Sequence, residues 1–288
     1  MKILILGADG MIGHKMAMKL YSPEIQLILN SRNNSDFLKS LFPNAELTSS
    51  DFLNSNIEDL LNKYIPNFVL NCAGITIRRG VEKIQEAKKI NSELPHKIDS
   101  WCGKKNKKLI HFSTDCVFSG TKGNYEDNDT PDAFENYGLT KGKGEINSKN
   151  TLTIRSSMFG REIFNKTELL EWVLSQKNKN IKGFSNITYS GVTTDYMSNI
   201  MMQIIQTHPT LSGIYNVSSN PISKYDLILK INELYKLNIE IEEDDTLLSD
   251  KSLISDRFFK ETTFKKPNWD KMLLGLQKDI FNNSKIYN

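Results

Sequence analysis

Two groups of residues could do chemistry in this chain. The first is Gly7-Ala8-Asp9-Gly10-Met11-Ile12-Gly13, three glycines at three-residue spacing. Glycine permits a tight turn, close approach of a pyrophosphate to the backbone, and close packing of a helix on a strand. A helix starting at Met11, with Ile12 and Gly13 in its first turn, would aim unpaired N–H groups and a positive dipole end at that anion. The second group is Tyr137-Gly138-Leu139-Thr140-Lys141. Positions i and i+4 share one helix face. A phenol of pKa about 10 beside an ammonium moves toward the working range of a general acid or base. Tyr137 could then protonate a carbonyl oxygen as hydride reaches its carbon. Thr114, in Ser113-Thr114-Asp115-Cys116, could hydrogen-bond that oxygen and fix its geometry.

Such groups need a frame. Lys2–Leu6 is a continuous apolar run, the pattern of a strand buried on both faces. Further strands are expected at Ile25–Leu29, Ala45–Thr48, Phe68–Asn71, Leu109–Ser113 and Leu152–Arg155. Helical patterns alternate with them at Met11–Leu20, Phe37–Leu41, Ile57–Tyr64, Val81–Cys102 (open to interruption near Pro95) and Tyr137–Ser148. This alternation predicts an α/β fold, a Rossmann-type doubly wound parallel sheet. Ligands of such sheets bind beyond the carboxyl ends of the strands. Cys72, Ala73 and Gly74 follow the fourth strand, and their small size leaves room for a cofactor. Thr114 follows the fifth.

The second half is less regular. Helices are expected at Glu168–Gln176, Asp195–Thr207 and Lys224–Tyr235, a strand at Ile214–Val217, and a solvated loop at the acidic run Glu240–Asp245. The expected division is a dinucleotide domain over residues 1–160, with a later return near 185–210, and a smaller C-terminal substrate-binding lobe mainly within 161–288.

Composition narrows the partners. Lys plus Arg is 37 against 34 Asp plus Glu, a net charge of +3, and only six of the cations are arginines. That balance does not suit a nucleic-acid reader, which favours bidentate arginine. Lys104, Lys105, Lys107 and Lys108 read as a solvated loop. Three cysteines without Cys-x-x-Cys, and four scattered histidines, offer no disulfide framework and no metal site. No apolar run reaches membrane-helix length, and the short apolar start is a strand, so a cytoplasmic setting is expected.

The motifs together resemble the extended short-chain dehydrogenase/reductases typified by dTDP-4-dehydrorhamnose reductase. Ser113-Thr114-Asp115-Cys116-Val117-Phe118-Ser119-Gly120 is similar to that family's Ser-Thr-Asp-Tyr-Val-Phe-Asp-Gly. Tyr137 to Glu145 is similar to its Tyr-Gly-x-Thr-Lys-x-x-Gly-Glu, and Ile154 to Gly160 matches the strand and turn that follow. The resemblance implies hydride transfer from a nicotinamide to C4 of a nucleoside-diphosphate 4-keto-6-deoxyhexose, for surface-glycan synthesis. Tyr137 would be the acid, Lys141 would hold the ribose and tune Tyr137, and Thr114 would bind the keto oxygen. It also implies that Asp51 and Phe52 lie at the adenine edge, and that Asp115 and Met158 border the sugar. We count Ser113 with the cofactor residues, and Thr76 and Cys116 with the sugar. The second strand ends without an acid but is followed by Arg32, which could pair with a 2′-phosphate, so NADP(H) is preferred, with NAD(H) as the other option. Family members often dimerise through the two long helices of this domain, here Val81–Cys102 and Tyr137–Ser148.

Two departures leave alternatives open. Cys116 stands where the rhamnose enzymes have tyrosine, and the C-terminal lobe differs from theirs, so the nucleotide could be UDP or dTDP and the sugar could carry an acetamido group. Epimerase-reductases of the GDP-fucose type also place a cysteine two residues after the catalytic hydroxyl, with a histidine partner. Here no histidine lies between Lys141 and Thr207, and Cys116 reads better as a small pocket wall. A non-catalytic regulatory subunit conflicts with the intact Thr114, Tyr137 and Lys141. A dehydratase would need Asp-Glu after the hydroxyl. His14, beside the glycine turn, reads as a cap or packing residue, and Arg155 as a structural ion pair.

Overall fold

The computed structural model describes residues 1–76 and 83–287. Seven parallel strands form the central sheet: β1 (Lys2–Leu6), β2 (Gln26–Asn30), β3 (Glu46–Thr48), β4 (Phe68–Asn71), β5 (Lys108–Phe112), β6 (Thr151–Arg155) and β11 (Gly213–Asn216). Their order is β11-β6-β5-β4-β1-β2-β3. The chain winds one way from β1 through β2 to β3, then returns to β1's other side with β4. This is the Rossmann-type doubly wound sheet that the alternating pattern predicts.

Strand geometry assigns the core. Successive side chains point to opposite faces. Ile3, Ile5, Phe68 and Leu70 pack on one face, against Met16 and Ala17 of α1 (Met11–Leu20) and Met197 and Met201 of α7 (Thr194–Thr207). Leu4, Leu6 and Val69 pack on the other, against Leu61 of α3 (Ile57–Tyr64) and Ile98 and Trp101 of α4 (residues 84–105). A short α2 (Ser35–Leu41) joins β2 to β3. The strands also end level. Leu6 stands opposite Asn30 on one side and Asn71 on the other, and Asn71 opposite His111. Gly7, Ser31, Cys72 and Ser113 therefore emerge along a common edge.

α4 is interrupted close to Pro95, where the sequence left an interruption open. It is α-helical over Ile84–Ala87, widens to a π-helix over Lys88–Glu93, and is α-helical again over Leu94–Lys105. Val81 and Glu82, where the expected helix begins, lie outside the described residues. Pro95 has no N–H to give the carbonyl of Asn91. Gly144 rests against that carbonyl, and a Cβ at Gly144 would collide with it. The same contact explains why α5 (Asn136–Lys143) stops at Gly144 instead of reaching Ser148.

Most elements after β6, apart from α7 and β11, form a second group, the C-terminal lobe. It contains the pairs β7 (Met158–Phe159) with β10 (Val192–Thr193), and β8 (Asn180–Phe184) with β13 (Glu240–Asp244). β9 (Ile187–Tyr189) lies between β12 (Ile222–Ser223) and β14 (Ser249–Asp250). The helices are α6 (Leu169–Leu174), α8 (Lys224–Tyr235), α9 (Asp256–Thr262), α10 (Trp269–Asn282) and α11 (Ser284–Tyr287). Phe159, Tyr189 and Trp269 meet edge-on or tilted, with ring centroids 5.9 to 6.3 Å apart. The acidic run expected as a loop is instead, over Glu240–Asp244, strand β13, because backbone pairing with β8 leaves Glu240, Glu242 and Glu243 exposed and Asp244 accepts from Thr246. Lys104 and Lys105 end α4 rather than forming a loop, and Lys108 opens β5. No helix among the described residues is long and apolar enough to cross a membrane.

Candidate active site

A continuous groove runs over the strand ends between β1 and β4, where the winding reverses. Its two sections share Gly10, Cys72, Ala73, Gly74 and Asn165. One section holds Gly7, Arg32, Asp51 and Phe52. The other holds Met11, Ile12, Thr76, Ser113, Thr114, Cys116, Tyr137, Lys141 and Met158. The sequence-selected residues are thus brought together, apart from Gly13 and Asp115, which do not line the groove.

The glycine turn brings backbone to the wall of the groove. Gly7 has φ of +68°, and a Cβ there would sit 3.0 Å from the Ala73 backbone. Gly10 precedes α1 as its cap residue, with no side chain capping the helix and no acid in its first turn. The first N–H groups of α1 therefore face the groove beside Met11 and Ile12. Gly13 acts by packing rather than contact, since a Cβ would enter the carbonyl of Gly7. His14 caps the turn from behind, with Nδ1 2.8 Å from Gly10 O.

At the next strand end the polar groups are already engaged. Asn30 gives its amide to Ser50 O at 3.2 Å, and Asn34 gives its own to Asp9 at 2.6 Å. Arg32 is exposed on this wall and makes no ion pair among the described residues.

The other section holds the reactive groups. Thr114 gives its hydroxyl hydrogen to Asp115 Oδ1 at 3.0 Å and accepts from Cys116 N–H at 3.2 Å. Asp115 is therefore buried behind Thr114 rather than opening on the groove. Tyr137 hydrogen-bonds to Thr114. Burial drives the Tyr137 phenol well above its usual pKa, neighbouring Cys116, Asp115 and Glu168 add to this, and the Thr114 bond opposes it.

Lys141 is held from β5. Its ammonium is buried and donates to Phe112 O at 2.5 Å. Burial lowers its pKa to about 8, against the pull of Glu145. The β5 carbonyl thus fixes the ammonium in a dry site beside the groove. Burial likewise pushes the Cys116 thiol up to about 12, and no histidine is among the residues lining this section. Cys116 is thus a protonated wall residue, a poor proton acceptor. His208 lies elsewhere, against Phe264. Arg155 forms the expected structural pair, bonding Glu145 through Nε at 2.9 Å and Nη2 at 2.8 Å.

Sequence reading missed the segment 161–168. Glu162, Asn165 and Glu168 line the reactive section, and Phe164 and Asn165 the other. Glu162 holds this loop by accepting from Thr167 N–H and Glu168 N–H at 2.5 and 2.7 Å. The only sequence signal was Asn165-Lys166, a pair suited to the left-handed turn they form, with φ of +67° and +48°.

Known proteins agree with this architecture. A probable low-salt glycan biosynthesis reductase, Agl14 of Haloferax volcanii, is 28% identical over 147 residues. That match covers 50% of this chain, which spans only 48% of that relative. A solved hypothetical dTDP-4-dehydrorhamnose reductase from Sulfolobus tokodaii is 27% identical with a TM-score of 0.78, covering 90% of this chain and 94% of that one. The Bacillus anthracis dTDP-4-dehydrorhamnose reductase, solved with NADP, has a TM-score of 0.80 at 20% identity, over 96% of this chain and 99% of the other. Residues 1–243 match the family model of the RmlD substrate binding domain, and on that match the chain belongs to the RmlD substrate binding domain family.

Proposed function

We propose that this chain is an NAD(P)H-dependent reductase of a nucleoside-diphosphate sugar, acting on the C4 ketone of a 4-keto-6-deoxyhexose. The observation that carries the reading is one groove with an uncapped glycine turn at one end and Thr114, Tyr137 and Lys141 at the other. Residues 1–160 and the later return would hold the cofactor, and the lobe within 161–288 the sugar nucleotide. The family and the glycan-biosynthesis relative support that substrate class.

The residues divide the work. The glycine turn and the start of α1 would hold the pyrophosphate, Asp51 and Phe52 the adenine side, and Lys141 the nicotinamide ribose. When bound, the nicotinamide supplies hydride. A ketone oxygen entering beside Thr114 and Tyr137 would compete for the hydrogen that Thr114 now gives to Asp115 and would accept from the Tyr137 hydroxyl. Burial keeps Tyr137 protonated across neutral pH, which suits a group that gives a proton. Met158, Thr76 and Cys116 would bound the sugar.

We also infer a preference for NADP(H). Arg32 offers a guanidinium with no ion pair among the described residues, and no carboxylate ends β2.

The test is loss of reduced-nicotinamide absorbance with NADPH or NADH and a panel of dTDP-, UDP- and GDP-linked 4-keto-6-deoxyhexoses. Turnover of one sugar is expected, with kcat/KM falling above pH about 8 as Lys141 loses its proton. Arg32→Ser should weaken NADPH and spare NADH. Dinucleotide binding without turnover of any sugar would count against the reading.

A further inference from the structure

The loop that sequence reading missed is tied to the glycine turn through one residue, Tyr287. Its hydroxyl lies 3.0 Å from His14 Nε2. The carbonyl of Gly10 can only accept, so His14 Nδ1 carries the ring proton and Nε2 must accept from Tyr287. A directed chain results: Tyr287 O–H to His14 Nε2, then His14 Nδ1–H to Gly10 O. His14 and Tyr287 are both buried, and their rings meet edge to face at 5.7 Å.

The other end of Tyr287 is gripped by the 161–168 loop. Its carbonyl accepts from Lys166 Nζ at 3.1 Å and Arg161 Nη2 at 3.3 Å. The Arg161 guanidinium also lies over the Tyr287 ring, 5.1 Å from its centroid, while its Nε bonds Glu171 at 2.6 Å. Between Arg161 and Lys166 stands Asn165, which lines both sections of the groove opposite Gly10. Asn165 and Lys166 both hold left-handed backbone, a conformation that surrounding contacts must maintain.

We propose that Tyr287 is a positioning residue for the dinucleotide, bolting the 161–168 loop across the groove to the carbonyl of Gly10 that orients the pyrophosphate-binding turn. It acts through His14 and Arg161 and touches no ligand itself. The inference rests on the dinucleotide reading above.

The test is titration of the full chain with NADPH, with ADP-ribose, which keeps the pyrophosphate, and with adenosine 2′-phosphate, which lacks it. Tyr287→Phe retains the ring over Arg161 and removes only the donor. It should weaken NADPH and ADP-ribose together, by about fivefold for one lost neutral hydrogen bond, and leave adenosine 2′-phosphate unchanged. His14→Asn, which can still donate toward Gly10, should recover part of the loss in the Tyr287→Phe background. Equal affinity of wild type and Tyr287→Phe for NADPH would overturn the inference, as would equal weakening of all three ligands. Failure of the wild type to bind NADPH would instead overturn the dinucleotide reading.

Discussion

The two sides of the groove are built by different rules. The β1–β4 side is fixed by close backbone approach. Gly7, Gly10 and Gly13 sit where a Cβ would press on Ala73 or on the Gly7 carbonyl. The lobe side is fixed by side-chain contacts, mostly long-range: Glu162 N–H on Glu171, Tyr287 on His14, and the cluster of Phe159, Tyr189 and Trp269. Local constraint leaves residue types at set spacings, whereas distributed contact leaves little local pattern. One side therefore tolerates almost no substitution at its key glycines.

Paired glycine substitutions should expose this difference most sharply. Gly13→Ala drives a methyl into the Gly7 carbonyl, and overpacking against backbone costs about 1–3 kcal/mol or more. Dinucleotide binding should be lost, and the melting temperature should fall. Gly275 lies inside α10 in the lobe, where an added Cβ would meet its nearest neighbour, Asp195 Oδ2, at an ordinary contact distance of 3.7 Å. Gly275→Ala should raise stability by about 0.5–1 kcal/mol, by removing glycine's entropy cost in a helix. Thermal denaturation of both variants checks the contrast.

Tyr137→Phe comes next. Loss of a general acid lowers kcat by about 10²–10⁴, and NADPH affinity, measured by titration, should stay within about twofold of wild type because pyrophosphate contacts lie elsewhere.

A smaller effect follows from His14. Burial lowers its pKa to about 4 in the folded chain, from 6.5. Between those values the unfolded chain takes up a proton that the folded chain refuses. Stability from this residue is therefore complete above pH 6.5 and falls as pH drops toward 4, by up to roughly 3 kcal/mol. Denaturant melts across that window should show the loss in wild type and a shallower one in His14→Asn.

Cys116→Ser should change least. The thiol is protonated and has no histidine beside it in the groove, so kcat should move by less than about tenfold, the contribution expected of a true proton carrier being larger. Product formed in deuterated water should carry no deuterium at C3 or C5 in either protein. Uptake there would revive the epimerase chemistry.

The same contrast explains what was legible in the sequence. The sheet, its strand ends and the three glycines were readable because Lys2–Leu6 and Phe68–Asn71 are continuous buried runs and because the turn demands glycine. Thr114, Tyr137 and Lys141 were found by their placement after β5 and on α5. Their wiring was not: the capture of Lys141 by Phe112 O depends on a carbonyl 29 residues away, invisible to an i, i+4 argument. The Glu240–Asp244 strand was missed because its pairing partner, β8, lies far back in the chain. The 161–168 loop was missed because its order comes from Glu162, Glu171 and Tyr287 rather than from any local repeat.

The central claim is that hydride crosses this groove to a sugar ketone beside Thr114 and Tyr137. The direct measurement supplies reduced cofactor carrying deuterium at the transferable position with the turned-over 4-keto sugar, and locates the label by NMR. The account predicts deuterium at C4 of the product, formed about 10²–10⁴ more slowly by Tyr137→Phe. Deuterium at another carbon, or a bound cofactor whose label never leaves it, would contradict the account.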